Sequence, residues 1–231
     1  MYLTEPTSKK LGLAGLLLSA LVVSNSALAA PIELVVNGGF ETGALGPWTN
    51  SGLGASGTCP NANRDWNVSA SATATGCFFP ANPSGSTFAA YVMNDGTGPL
   101  TYQLIQSIFV PLGTTTGALS FDWTSKNGFD AGRTLRALIN GTQVFSSSTG
   151  GNFGWTTVGS IDVSALLAAA AGTSINVEFD NFIPQNWTGP AGLGLDNVSV
   201  TAEAAVPEPG SIALLAVALL GPALASKRKQ A

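Results

Sequence analysis

Apolar residues are spread unevenly along the chain. One unbroken apolar run, Leu11 to Val23, lies near the start, and a second, Ile212 to Ala225, lies near the end. Between Pro31 and Ala205 the apolar residues come in short groups, rich in β-branched and aromatic side chains and separated by Gly, Asn, Pro and Ser. That punctuation predicts strands and turns. In the segment from Gly117 to Thr124, Leu119, Phe121 and Trp123 share one face, and Ser120, Asp122 and Thr124 share the other. This two-residue period suits a sheet with one buried face. Strands are predicted over 32–36, 89–92, 102–110, 118–124, 134–139, 142–146, 155–161, 174–180 and 193–201. Asn140-Gly141 lies between two of them and is a strong hairpin signal. The one helix-prone stretch is 163–171, opened by Asp162 or Ser164 and stopped by Gly172. The expected class is all-β, a sandwich or barrel, interrupted by a Gly-rich insert over 44–86.

The two apolar ends read differently. Lys9 and Lys10 precede the first run, and Ser24-Asn25-Ser26 and Ala27-Leu28-Ala29 follow it. A charged, then apolar, then small-residue order is that of a secretory signal, with cleavage by signal peptidase expected after Ala29 or one residue later. The alternative is an uncleaved anchor, but 13 residues fall short of the roughly 20 that span a bilayer. At the other end, Pro207-Glu208-Pro209 forms a stiff break that no helix or central strand would cross. The apolar run after it has no polar face and wants lipid or a large core. Lys227, Arg228 and Lys229 then act as a basic stop that stays cytoplasmic. At about 1.5 Å per residue the run reaches only about 21 Å. The expected organisation is a signal peptide over 1–29, a β-sandwich domain over 30–205 and a C-terminal segment over 206–231.

Pro207-Glu208-Pro209, the apolar run and the basic tail, in that order, resemble the PEP-CTERM sorting domain. The resemblance implies recognition by an exosortase, a membrane cysteine transpeptidase, with cleavage near the tripeptide. Until then the C-terminal helix would hold the chain in the membrane. It also implies an envelope or extracellular fate in a Gram-negative bacterium that makes exopolysaccharide. A plain tail anchor is the alternative, and Pro222 inside the run departs mildly from the pattern.

Charge narrows the function further. Only 10% of residues are charged, against about 25% in ordinary soluble domains. Between Ala30 and Ala205, four cations stand against eleven acids, a net charge of −7. Such a surface is a poor match for a phosphate backbone, so nucleic acid is not an expected partner. The chain has no His, which removes the commonest general base and every Ser-His-Asp or Cys-His set. Asp122, Asp130, Glu178 and Asp180 leave a paired-carboxylate glycosidase as a distant reading. Glu178-Phe179-Asp180 reads as a strand with two acids on one face. Cys59 and Cys77, both in the exported part, are expected to form a disulfide. It would close a loop of about 19 residues and stabilise by about 3 kcal/mol at most.

The order of the pieces is informative. Asn37-Gly-Gly-Phe-Glu41 follows the first strand, and Leu195-Asp-Asn-Val198 closes the last. Together they resemble the galactose-binding-like jelly rolls of many carbohydrate-binding modules. The resemblance implies a jelly-roll β-sandwich with its first and last strands adjacent. It also implies a structural calcium between their ends, with Asn37, Glu41 and Asp196 at ligand-bearing positions. Calcium takes six to eight oxygens, which carboxylates and backbone carbonyls supply. On the other reading, Asn37 and Glu41 form a turn and Asp196 caps a strand end. A sugar-binding module also needs exposed rings. Trp66, beside Arg64 and Asp65, and Trp187, in the polar stretch 184–190, are the candidates; Trp48, Trp123 and Trp155 read as core. Two functions follow: a non-catalytic surface or matrix protein associated with exopolysaccharide, or a module that binds a polysaccharide.

Overall fold

The computed structural model describes residues 30–51, 65–70, 82–83, 85–94, 99–127, 132–149, 151–184 and 191–205. Two antiparallel sheets pack face to face. One contains β3 (Asn67–Ala70), β4 (Phe88–Asn94), β11 (Ala191–Ala204), β6 (Thr114–Asn127) and β9 (Gly151–Asp162) in that spatial order, with β1 (Ile32–Glu33) added along β11. The other runs β2 (Thr49–Asn50), β5 (Leu100–Phe109), β10 (Ser174–Ile183), β7 (Thr134–Ile139) and β8 (Thr142–Ser148). The single described helix, α1 (Ser164–Ala169), links β9 to β10 and seats Leu167 in the core.

The alternation in β6 settles the inner face. Leu119, Phe121 and Trp123 are buried, while Ser120 and Asp122 of the other face are only partly so. Across the interface stand Tyr102, Leu104, Leu135, Ala137, Val177 and Phe179, all buried. The sheets interlock at Phe121, whose ring meets Phe179 edge-on at 5.0 Å and Phe145 at 5.2 Å. Each such edge-to-face pair adds about 1 kcal/mol to the burial of its surface. The β7–β8 hairpin turns at Asn140 (φ 49°) and Gly141 (φ 77°), the left-handed pair that a tight two-residue turn requires.

Two strands arise inside the stretch expected as an insert. β2 pairs with β5, and β3 pairs with β4. Trp48, just before β2, is buried and packs on Phe40 and Phe179. The described parts of 44–86 thus belong to the sandwich.

Candidate functional site

The outer face of the five-stranded sheet carries a polar row. Register sets Asp180 on β10 between Gln103 on β5 and Arg136 on β7, with Ser146 of β8 beyond. Alternation puts Glu178 and Phe182 on the same face, one step either side of Asp180. Arg136 donates from Nη2 to Asp180 Oδ2 at 2.9 Å and lies over the Phe182 ring, 4.3 Å from its centre. Gln103 donates from Nε2 to Glu178 Oε1.

The row is poorly solvated and incompletely satisfied. Asp180 is only 4% exposed although it lies on an outer face. Its Oδ1 and the Nε of Arg136 are buried without a hydrogen-bond partner. Burial, then the neighbouring Glu178, push the Asp180 carboxyl up to about 7, against the pull of Arg136. A carboxylate taken out of water beside a second acid ionises less readily, so Asp180 holds its proton well above the ordinary carboxylate range. Around this centre stand the hydroxyls of Thr101, Thr134, Ser146 and Ser148 and the amides of Gln143 and Asn176, partly or fully exposed. A charged pair, an amide, a second carboxyl and flanking hydroxyls form a donor–acceptor surface suited to a polyhydroxylated ligand.

A second cluster lies where the chain's first turn meets its last strand. Asn37 and Phe40 adopt left-handed conformations (φ 56° and 55°), folding Asn37-Gly-Gly-Phe back on itself. Val198 donates its N–H to Gly38 O at 2.9 Å. The β6–β11 register shifts between Asp196 and Ser199, and Asn197 sits at φ 50°. This bulge re-aims two side chains toward the turn, so that Asp196 and Asn197 both approach Gly39 beside the Glu41 stem. Asn197 donates to Asp122 at 2.8 Å, and Glu41 accepts the N–H groups of Thr87 and Phe88. Asp196 is fully buried, and its Oδ2 has no partner. Burial raises its carboxyl to about 6, against the pull of Ser86 and the Asn197 N–H, with Glu41 and Asp122 adding to the rise.

For a calcium ion this donor set fits in part. The orphaned oxygen of Asp196 beside Glu41 is what a cation would satisfy. Among the described residues, however, no three of Asp, Glu, Cys or His converge closely enough to hold a metal by themselves. Backbone carbonyls would have to complete the shell. The Asn37 side chain is committed elsewhere: its Nδ2 donates to Ala44 O at 2.9 Å and Gly46 O at 3.0 Å, and its Oδ1 faces the Thr42 N–H. Asn37 therefore shapes the turn and does not point into the cluster.

Trp66 departs from the expectation of a presented ring. It is 1% exposed, and its indole N–H donates to Tyr102 O at 3.0 Å. A polar neighbourhood in sequence hid a ring that β3 carries into the sandwich. Trp187, the cysteines Cys59 and Cys77, Pro207-Glu208-Pro209 and Lys227-Arg228-Lys229 all lie outside the described residues. Trp48 and Trp123 are core, as expected, whereas Trp155 is half-buried on the outer face, edge-on to Tyr91. The contributions of Arg136, Gln103 and Phe182 were missed. Their one signal was the same-face pair Glu178 and Asp180, which needed a counter-charge.

A cleft of about 200 Å³, lined by Thr116, Ser160, Asp162, Ser164, Thr201 and Glu203, opens on the outer face of the six-stranded sheet. It is smaller than ordinary small-molecule sites. Its acids are also engaged, Asp162 by the Ser164 N–H and Glu203 by the Thr116 hydroxyl. Among the described residues no helix is long and apolar enough to cross a membrane.

The PEP-CTERM protein-sorting motif matches residues 205–229. No curated protein matches the chain significantly. Among solved structures, a cyclase from Fischerella sp. TAU in complex with 4-(1H-indol-3-yl)butan-2-one superposes with a TM-score of 0.51 at 15% identity, covering 76% of this chain and 100% of that one. TmCBM61 in complex with β-1,4-galactotriose gives 0.49 at 16% identity, covering 73% and 97%. A family 35 carbohydrate-binding module from Clostridium thermocellum gives 0.39 at 17% identity, covering 74% and 98%. At these identities the likeness concerns fold alone. The chain carries a PEP-CTERM sorting motif at residues 205–229, behind a jelly-roll sandwich of two antiparallel sheets.

Proposed function

We propose that this is a non-catalytic protein of the cell envelope or extracellular matrix, exported, processed by an exosortase, and able to bind polysaccharide through the outer face of its five-stranded sheet. The observation that carries the binding role is the Arg136–Asp180–Glu178–Gln103 row. It is rich in donors and acceptors, rests on a rigid sheet, and retains buried polar atoms with no partner. Sugar hydroxyls both donate and accept, so they suit such a row.

On this reading signal peptidase cuts after Ala29, and exosortase acts near Pro207-Glu208-Pro209. A Cys59–Cys77 disulfide ties the stretch between β2 and β4. Glu41 and Asp196, with backbone carbonyls, hold a structural calcium whose role is to fasten the first turn to the last strand. Affinity electrophoresis of the full chain through gels containing the host's own exopolysaccharide tests the binding role. Retardation that is weakened at least several-fold by Gln103→Ala and Arg136→Ala is expected. Equal mobility with and without polysaccharide would leave a purely structural surface role.

A further inference from the structure

One end of the sandwich exposes apolar side chains beside the polar cleft of Thr116, Asp162 and Glu203. The β5–β6 turn carries Leu112, 81% exposed, and β5 ends on Phe109, 60% exposed. Beside them, α1 presents Ala165, Ala168 and Ala169 to solvent. Two backbone hydrogen bonds of 2.9 Å join the two turns, Val110 N–H to Thr173 O and Gly172 N–H to Val110 O. They fix Leu112 against Gly172. The patch is therefore a built surface on paired turns.

The chain leaves from the same place. Ala205 donates its N–H to Gly113 O at 3.0 Å, next to Leu112. It also enters there: β1 runs antiparallel to β11 with Ile32 opposite Ala202, which sets Pro31 and Ala30 toward the same end. Both apolar runs of the sequence thus connect to this one end of the domain. The C-terminal run begins at Ile212, seven residues past Ala205. Fully extended, that tether reaches about 25 Å at most. The strand it follows, at about 3.3 Å per residue, is about 45 Å long. A bilayer that holds the run therefore lies within a tether's length of Leu112, at high effective concentration.

We propose that this end is a lipid-contacting foot. Leu112, with Phe109 and the exposed alanines of α1, dips into the interface of the bilayer that holds Ile212 to Ala225, and so keeps the domain upright on the membrane. The inference rests on the reading of the C-terminal run as membrane-held. Contact is apolar in kind: the described cations, Lys126, Arg133 and Arg136, lie toward the opposite end by strand register, and the acids at this end, Asp162 and Glu203, lie in the cleft on the outer face of the six-stranded sheet. The apolar part of interfacial insertion scales with buried apolar area.

The test uses the full chain reconstituted in vesicles of phosphatidylethanolamine with a minor share of phosphatidylglycerol. The photoreactive residue p-benzoylphenylalanine replaces Leu112 in one preparation and Ser148, exposed at the far end, in another. Expected is a phospholipid adduct by mass at Leu112, several-fold above that at Ser148 and unchanged by high salt. Chain that floats with the vesicles but gives equal adducts at both positions overturns the foot and leaves the anchor standing. Adducts at Leu112 with a second protein copy in place of lipid also overturn it. Chain that fails to float overturns the anchor and the foot together.

Discussion

A methyl group added at Gly38 would stand 1.9 Å from the carbonyl oxygen of Val198, a backbone atom that cannot swing aside. Gly38→Ala should therefore part the first turn from the last strand, at a cost of about 3 kcal/mol, readable by urea denaturation. A loss under half that would mean the turn can shift without harm. The buried acids give a second test. Asp196 titrates near 6 and Asp180 near 7, both above their ordinary value of 3.8. Over that window the folded chain holds protons that the unfolded chain has released. Stability from these groups is complete at low pH and is lost as pH rises through 6 and 7. Asp196→Asn mimics the protonated acid. In chelator it should match the parent in thermal stability near pH 4.5 and exceed it at pH 7.5. An Asn variant less stable at both would contradict this. Calcium at pH 7.5 should raise the melting temperature of the parent and leave that of Asp196→Asn unchanged.

At the scale of elements, the strand Thr134–Ile139 and the hairpin at Asn140-Gly141 were legible because each carries its own pattern: alternation in one, a left-handed pair in the other. β2 and β3 were not, since two and four residues cannot display a period. Their pairing with β5 and β4 came from tertiary contact. The same limit governs the candidate site. Glu178 and Asp180 could be seen as same-face acids, but Arg136 lies 44 residues from Asp180. Only the β7–β10 register brings the two together. Trp66 misled because a sequence of polar neighbours says nothing about a ring aimed inward at Tyr102 O. α1 offers a test at this scale. Leu167 is fully buried, and its Cδ1 lies 2.3 Å from where a Gly117 side chain would begin. Leu167→Ala should cost about 2–5 kcal/mol in chemical denaturation, because Gly117 leaves no side chain to fill the void. A near-neutral result would show that the α1 end of the sandwich is loosely packed.

For the whole molecule, a jelly-roll domain carries a polar row on one sheet, and the chain leaves it at Ala205, beside Gly113 and the exposed Leu112. The row lies along the side of the sandwich, while the termini leave from its base, so a membrane-tethered domain can still offer that side to a polymer. Intact-mass analysis of the mature protein from its host tests the central claim most directly. The expected chain begins at Ala30 or Pro31 and ends near Pro209, with or without an added group. A mature chain that still ends at Ala231 would contradict it.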